Sequence, residues 1–523
     1  MNRHFKKIAF IIITLGAIFI IATVSINIIL KNKLEVFINN RLPENMVRSY
    51  DALTVASFEG SLNITNASLI IKNKGNGIKH TFINVENLKI TDISYWDYLI
   101  NGEINIESIS IDNPTMAYYK DRIKPNKDSI RKGIFEIYKP INIDKVIINN
   151  TKFAIYEEGK DSTKLYTKGL SIEVDGIKMD AKTHLNKIPF EYSNVKAKSD
   201  TVFVKVSPFE NLTVRDFSIE NNTAIFDNLE LKTKYSKKEL SKVIAIEQDY
   251  YNLTLKSLSV EDFDFGFNHN RFFAKSKKIS LATPSLEVYR DKLVADNNKP
   301  KSLYSKMLRN LPFDLTVDSL KIFDAKIKYE ERVKKENMGG TLNFEKLEAA
   351  ISNVSNTYKE PIKTTIKVNA DFMEHTPIAI DWEFDVQNKN DQFLFKANIG
   401  PLVAEKMNSF TEPNLKVKLE GNTTKTYFTI DGNNDTSTID MKINYSDFEV
   451  SILRKNGKGK NKFLSAIANI FLSKNSDAKN TNYREGIATA TRDKTKSVFN
   501  FLWINLKNAL IKTMLGGNKN DTH

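Results

Sequence analysis

The sequence predicts a mainly β protein. An N-terminal transmembrane helix leads into an elongated, repeated antiparallel β-sheet, groove-like or sandwich-like, with a few short covering helices and amphipathic helices at the C-terminus. Three observations carry this expectation. An uncharged apolar run opens the chain, period-two alternation of apolar residues fills its body, and helical spacing of apolar residues returns near its end. The chain has 523 residues, enough for several cores. The expected organisation is a cytoplasmic tip and anchor (1–33), a first β repeat unit (34–205), a second (206–375), a C-terminal β region (376–460) and a basic C-terminal segment (461–523).

The opening run, Ile8 to Leu30, is 23 residues without a charge. As a helix it is about 35 Å long, against a hydrocarbon core of about 30 Å. It exceeds the apolar stretch of a cleaved secretory signal, and apolar residues continue past the weak cleavage positions at Ala22 and Ser25. An uncleaved signal anchor with everything after Leu34 exported is the simpler topology.

In the body one phrase recurs: two apolar residues two apart, a step of three, then two more. It appears as Leu62, Ile64, Ala67, Leu69, as Ile104, Ile106, Ile109, Ile111, and as Ile141, Ile143, Val146, Ile148. It returns as Leu212, Val214, Phe217, Ile219, as Leu253, Leu255, Leu258, Val260, and as Leu315, Val317, Leu320, Ile322. A step of three breaks strict alternation, so a bulge or turn must absorb a residue each time. The phrase is nested in a longer duplication. Ile109, Ile111, Pro114, Met116 and Tyr119 align with Ile279, Leu281, Pro284, Leu286 and Tyr289 at an offset of 170, and Gly169 is matched with Gly340. Short helices are expected at Lys238–Gln248 and Ser302–Leu311, the latter ended by Pro312.

Near the end, Phe463, Leu464, Ile467, Ile470 and Phe471 share a helical face, followed by Phe499, Leu502, Trp503, Leu506 and Leu510 on a longer helix, Val498–Leu515, before Gly516-Gly517. The second stripe suits a membrane or partner helix as well as a cap on the β body. Lys455–Lys462 reads as a basic loop.

Charge placement narrows the function classes. Residues 1–33 hold five basic residues and no acid, and residues 451–523 hold fourteen basic and four acidic ones, while the body between is almost neutral. Basic clusters beside apolar ends suit an anionic membrane surface and leave no basic stripe for nucleic acid on the body. The chain has no cysteine, which excludes disulfides and thiolate chemistry. Its six histidines, His4, His80, His184, His269, His375 and His523, are scattered, and nucleophile-elbow, P-loop and dinucleotide motifs are absent. No enzyme is expected, and no catalytic, cofactor-binding or metal residues are assigned.

With an anchor, a repeated β body and an amphipathic end in place, the chain resembles the AsmA-like family of bacterial envelope proteins, in a Bacteroidetes-type form. The resemblance rests on Val85–Ile93 (VENLKITDI), Ile104–Tyr119 (INIESISIDNPTMAYY), Leu315–Tyr329 (LTVDSLKIFDAKIKY), Ile439–Val450 (IDMKINYSDFEV) and Arg484–Leu502 (REGIATATRDKTKSVFNFL). It implies an inner-membrane anchor, a β body in the periplasm with an apolar groove, and a part in phospholipid transport or outer-membrane homeostasis. Membrane phospholipids, the inner membrane and envelope proteins are the implied partners. No cofactor and no catalytic residue carry over. From the residues themselves, the candidate groove-lining positions are Ile106, Ile111, Ile143, Ile148, Leu255, Val260, Val317 and Ile322, although for each one alone ordinary core between packed layers is the favoured reading. The second reading is a non-enzymatic scaffold or assembly factor that binds proteins.

Overall fold

The computed structural model describes residues 3–40, 43–123, 139–157, 162–183, 186–336, 339–454 and 483–515. The expected helix at 463–471, the loop at 455–462 and the Gly516-Gly517 stop lie outside these residues. The chain is mainly β and divides into two compact units, Met1–Val206 with Thr213–Asn222, and Ser207–Leu212 with Thr223–His523.

The first unit starts with α1 (Arg3–Asn40), which contains an apolar stretch long enough to cross a membrane. Nine strands follow: β1 (Met46–Ser49), β2 (Ala52–Ala56), β3 (Ser61–Lys72), β4 (Lys79–Ile93), β5 (Ile104–Asp112), β6 (Thr115–Tyr119), β7 (Ile141–Tyr156), β8 (Thr163–Met179) and β9 (Asn194–Lys205). β1 and β2 pair with the two halves of β3, and β3 pairs with β4, all antiparallel. β5 and β6 act as one strand broken at Asn113-Pro114, antiparallel to β4 and parallel to β7. β8 and β9 continue antiparallel, and β10 (Glu210–Glu220) pairs with β9. The parallel pair departs from the all-antiparallel expectation, because the connection from Tyr119 to Ile141 is long enough for a crossover.

The second unit contains β11 (Thr223–Thr233), α2 (Lys237–Val243), β12 (Tyr250–Glu261), β13 (Asp264–Asn268), β14 (Arg271–Ala282), β15 (Ser285–Asp291), α3 (Tyr304–Arg309), β16 (Asp314–Arg332), β17 (Gly340–Ser355) and β18 (Thr364–Phe372). It continues with β19 (Thr376–Phe384), β20 (Phe393–Ile399), β21 (Leu402–Val403), α4 (Asn408–Leu415), β22 (Val417–Gly432), β23 (Thr436–Ile452), β24 (Arg484–Thr491) and α5 (Val498–Leu515). α2 begins with a capping box, Ser236 and Glu239 exchanging side-chain to backbone bonds. It is shorter than the expected Lys238–Gln248: the chain turns extended at Ile244, and Glu247 and Asp249 pair instead with Lys292 and Arg290.

The duplication is visible in register. Pairs Ile90–Ile109, Leu88–Ile111 and Ile83–Met116 between β4 and β5–β6 recur 170 residues later as Val260–Ile279, Leu258–Leu281 and Leu253–Leu286. The parallel pairs Ile109–Val146, Ile111–Ile148 and Met116–Phe153 recur as Ile279–Leu320, Leu281–Ile322 and Leu286–Ile327. Backbone kinks recur with them. Residues with left-handed φ match in pairs: Asn66 with Asn228, Asp92 with Asp262, Asn113 with Thr283, and Asn150 with Asp324. Asn66 falls inside the step between Ile64 and Ala67, and Asp216 inside that between Val214 and Phe217, so these residues absorb the odd residue. Asn and Asp dominate because their short polar side chains tolerate this region better than other non-glycine residues.

One expected anchor is wrong. Gly169 (φ 67°) precedes Leu170, which lies opposite Thr151, and the residue in the same setting is Lys346 (φ 47°), which precedes Leu347 opposite Ala325. Gly340 instead pairs with Glu331 at the start of β17. The match was misplaced because the position requires a backbone conformation, which lysine here also adopts, and not a glycine as such.

The deepest core lies at the C-terminal end of the second unit. Trp382, Phe395, Ile430, Ile439, Met441 and Ala488 from five strands pack against Phe501 and Ala509 of α5. Ile430, Ile439 and Met441 are fully buried, each contributing about 1.5–3 kcal/mol by leaving water.

Candidate functional site: an uncovered apolar sheet face

Directly opposed residues on neighbouring strands share a face, so the register of the first unit arranges its apolar residues in rows. One row runs Ile64, Leu88, Ile111, Ile148, Ile172, Ala197 from β3 to β9. A second runs Leu62, Ile90, Ile109, Val146, Val174, Val195, and a third Leu69, Ile83, Met116, Phe153. All of these side chains are only half-buried. Buried apolar residues in the described part of the unit are few: Leu53, Tyr119, Ile143, Ile177 and Val214. α1 packs on the Ser57–Glu59 turn and on β2, whose Leu53 and Val55 pair with Ile64 and Leu62 at the start of the first two rows; Leu53 is buried.

The opposite face of the same strands is polar and ion-paired. Lys145, between Asp144 and Val146, lies 3.1 Å from Glu173, and this hydrogen bond and charge hold its ammonium above the usual lysine value. Near the other end of that face Phe82, Ala117, Ala154 and Tyr166 oppose one another across four strands and line a shallow hollow of about 410 Å³ bordered by Lys152 and Lys168. The sheet is therefore amphipathic, with aliphatic rows on one side.

Of the eight expected lining residues, Ile111 and Ile148 stand in the first of these rows. Ile106 pairs with Ile143, and Ile111 with Ile148. In the second unit Leu255 pairs with Leu229, Val260 with Ala224 and Ile279, Val317 with Val354, and Ile322 with Leu281 and Ala349. Ile143, Leu255 and Val317 are buried and the other five half-buried. Ile322 borders a compact cluster with Ala325, Leu347, Ala349 and Ile378.

α5 covers the C-terminal sheet, packing on β23 and β24. It buries Val498, Phe501, Asn505 and Ala509, each one position off the expected stripe, and Thr513 and Met514 near its end. Of that stripe, Leu502, Leu506 and Leu510 pack at the cluster's margin, Trp503 is half-buried and Phe499 is exposed. The shift is made possible by Asn505, whose buried amide donates to Phe501 O (2.9 Å) and accepts from Ser437 Oγ (2.8 Å).

Sequence reasoning passed over the run Tyr95, Trp96, Tyr98, Leu99, Ile100, which is exposed between β4 and β5. Its signal was legible: an aromatic and aliphatic run where a polar connection is the rule. Among the described residues no group of three His, Asp or Glu side chains could hold a metal ion. No protein-family model matches the chain, and no curated protein matches its sequence.

Proposed function

We propose that the chain is an inner-membrane-anchored periplasmic protein of the AsmA-like kind that takes part in phospholipid transport or outer-membrane homeostasis, holding acyl chains on the aliphatic face of its first β unit. The observation that supports this reading is the set of half-exposed rows through Ile111–Ile148–Ile172 and their neighbours. An acyl chain laid on such a face gains about 0.8 kcal/mol for each CH₂ removed from water and needs no shaped pocket. α1 supplies the anchor, and the polar opposite face suits an aqueous compartment.

A photo-crosslinking amino acid placed at Ile148 of the full-length protein in cells tests it. Phospholipid adducts at Ile148, with none at Lys89 on the opposite face, are the expected result. Adducts to protein alone at Ile148 would replace this reading with that of a scaffold.

A further inference from the structure

Two connections leave the first unit's sheet at the same end. Gly60 O accepts from Ile93 N at 3.0 Å, which sets the Ser57–Glu59 turn beside the connection from Ser94 to Glu103. Lys139 joins them, donating to Tyr98 O at 2.9 Å with its ammonium 3.7 Å from the centre of the Tyr98 ring. The apolar side chains at this end are among the most exposed in the protein: Phe58 and Leu99 at 75%, Trp96 at 71% and Ile100 at 63%.

α1 passes alongside. Arg48 Nη2 donates to Asn39 O, Ser57 N donates to Asn27 Oδ1 at 2.7 Å, and Phe19 meets Phe58 edge-on with ring centres 5.5 Å apart. The helix thus follows the sheet edge from Asn39 to Asn27 and continues past its end. Phe19 lies eight residues before Asn27, about 12 Å further along the helix. The tip therefore stands beside the apolar run of α1, which extends to Leu30, and not beyond it.

The duplication supplies an internal control. The same connection in the second copy folds as β13, paired with β14, in which Asp264 and Asn268 flank Phe265 and Phe267. The first copy's connection also carries an acid, Asp97, which accepts from Asn101 Nδ2 at 2.7 Å, but its Trp96, Leu99 and Ile100 are 63–75% exposed against 39–45% for Phe265 and Phe267.

We propose that this end of the first unit is seated in the bilayer that α1 crosses, with Phe58, Trp96, Leu99 and Ile100 among the acyl chains and Tyr98 with Lys139 at the headgroups. Tryptophan and tyrosine favour the membrane interface, and a lysine can extend its ammonium to the headgroups. The inference rests on the reading that α1 spans a membrane, and it deepens the proposed function. The row Ile93–Ile106–Ile143–Ile177 begins at this tip, and its first two residues are half-buried while Ile143 and Ile177 are buried, so an acyl chain leaving the leaflet would reach the sheet face over Ile93 and Ile106.

The absence of cysteine makes the test direct. Single variants I20C, L99C and N76C of the full chain are labelled with an environment-sensitive fluorophore and placed in phosphatidylethanolamine/phosphatidylglycerol nanodiscs containing spin-labelled lipid. Asn76 lies in the turn at the opposite end of the β3–β4 hairpin. Quenching at L99C comparable to I20C, with little at N76C, is expected. Quenching at I20C with L99C no different from N76C would overturn the seated tip while leaving the anchor intact. No quenching at I20C would show that α1 does not span, and the inference would fall with that premise. W96S/L99S/I100S, whose side chains are exposed, should lose most of the phospholipid crosslink at Ile148 while keeping the wild-type circular dichroism. An undiminished crosslink would overturn the path from leaflet to face.

Discussion

Ile148 and Ile430 occupy the same kind of position. Each lies mid-strand with apolar partners on both sides, Ile111 and Ile172 for the first, Phe395 and Ile439 for the second. Ile148 is half-exposed, whereas Ile430 is completely buried. The strands do not account for the difference. α5 lies over the C-terminal strands and inserts Phe501 and Ala509 among them, whereas in the first unit α1 packs on β2 at the margin of the rows and inserts no side chain among Ile111, Ile148 and Ile172 in any buried cluster of the described residues. An alternating strand specifies an apolar face, and a separate element decides whether that face becomes core or surface.

The largest expected effect tests this contrast. Ile439→Asp would bury an unpaired carboxylate under α5 and should cost about 3–5 kcal/mol, enough to make the C-terminal strands protease-sensitive. Ile148→Asp, at a half-buried position where the carboxylate keeps access to water, should cost less, about 1–2 kcal/mol. Urea unfolding of the two full-length variants in detergent measures both. Equal losses would show that the first unit's face is closed after all.

A middle-sized effect concerns how the cover is held. Asn505→Leu removes both bonds of the buried amide and strands the Ser437 hydroxyl, an expected loss of about 1–3 kcal/mol. A leucine that stabilised the fold would mean that α5 sits by apolar contact alone.

The duplicated kinks should respond alike in both units. Asn66→Ala and Asn228→Ala place a Cβ-bearing residue without a local hydrogen bond at φ near +50°, costing about 1 kcal/mol each, while glycine at either site should be close to neutral. A cost at only one of the two, measured by thermal unfolding, would break their equivalence.

The smallest effect concerns α2, a cover that the second copy has near β15. Burial raises the Glu287 pKa, but the hydrogen bond from Lys237 of α2 (2.9 Å) and the charges of Lys237 and Lys328 outweigh it and leave the carboxyl below its ordinary value. A depressed carboxyl pKa stabilises the fold above the unfolded-state value of 4.5, and that contribution is lost as pH falls through the folded-state value. Lys237→Met should therefore flatten the decline of stability below pH 4.5, read as melting temperature against pH. An unchanged slope would show that α2 adds no electrostatic closure.

Several features were legible because they depend on neighbours in sequence. The spacing of Phe499, Leu502, Leu506 and Leu510 located a helix over Val498–Leu515, where α5 is found, but not the side it buries. That choice turned on Asn505, a polar residue outside the apolar stripe, satisfied by Ser437 68 residues away. The recurrent Pro-x-apolar phrase located the duplication, while the parallel pairing of β5 with β7 was missed because alternation is the same for either direction. The eight lining residues fell on apolar ladders, but their spacing could not separate buried Val317 from half-exposed Ile322. The tip at Trp96 was overlooked because the reading followed periodicity, and a connection has none.

By itself the sequence determined an apolar helix at the N-terminus, strands with one aliphatic side, Asn and Asp kinks where the alternation slips, and a doubled unit. These are local matters of spacing and backbone preference, written within a few residues of where they act. Only the tertiary structure decided which aliphatic side was covered, because the cover comes from distant segments: α5 packs on β23 and β24 and reaches Phe393 of β20, about a hundred residues earlier, and Tyr304 of α3 packs on Trp382 of β19. It also decided that the Ser57–Glu59 turn and the Trp96 connection meet beside α1, since that proximity depends on strand order and register and not on distance along the chain.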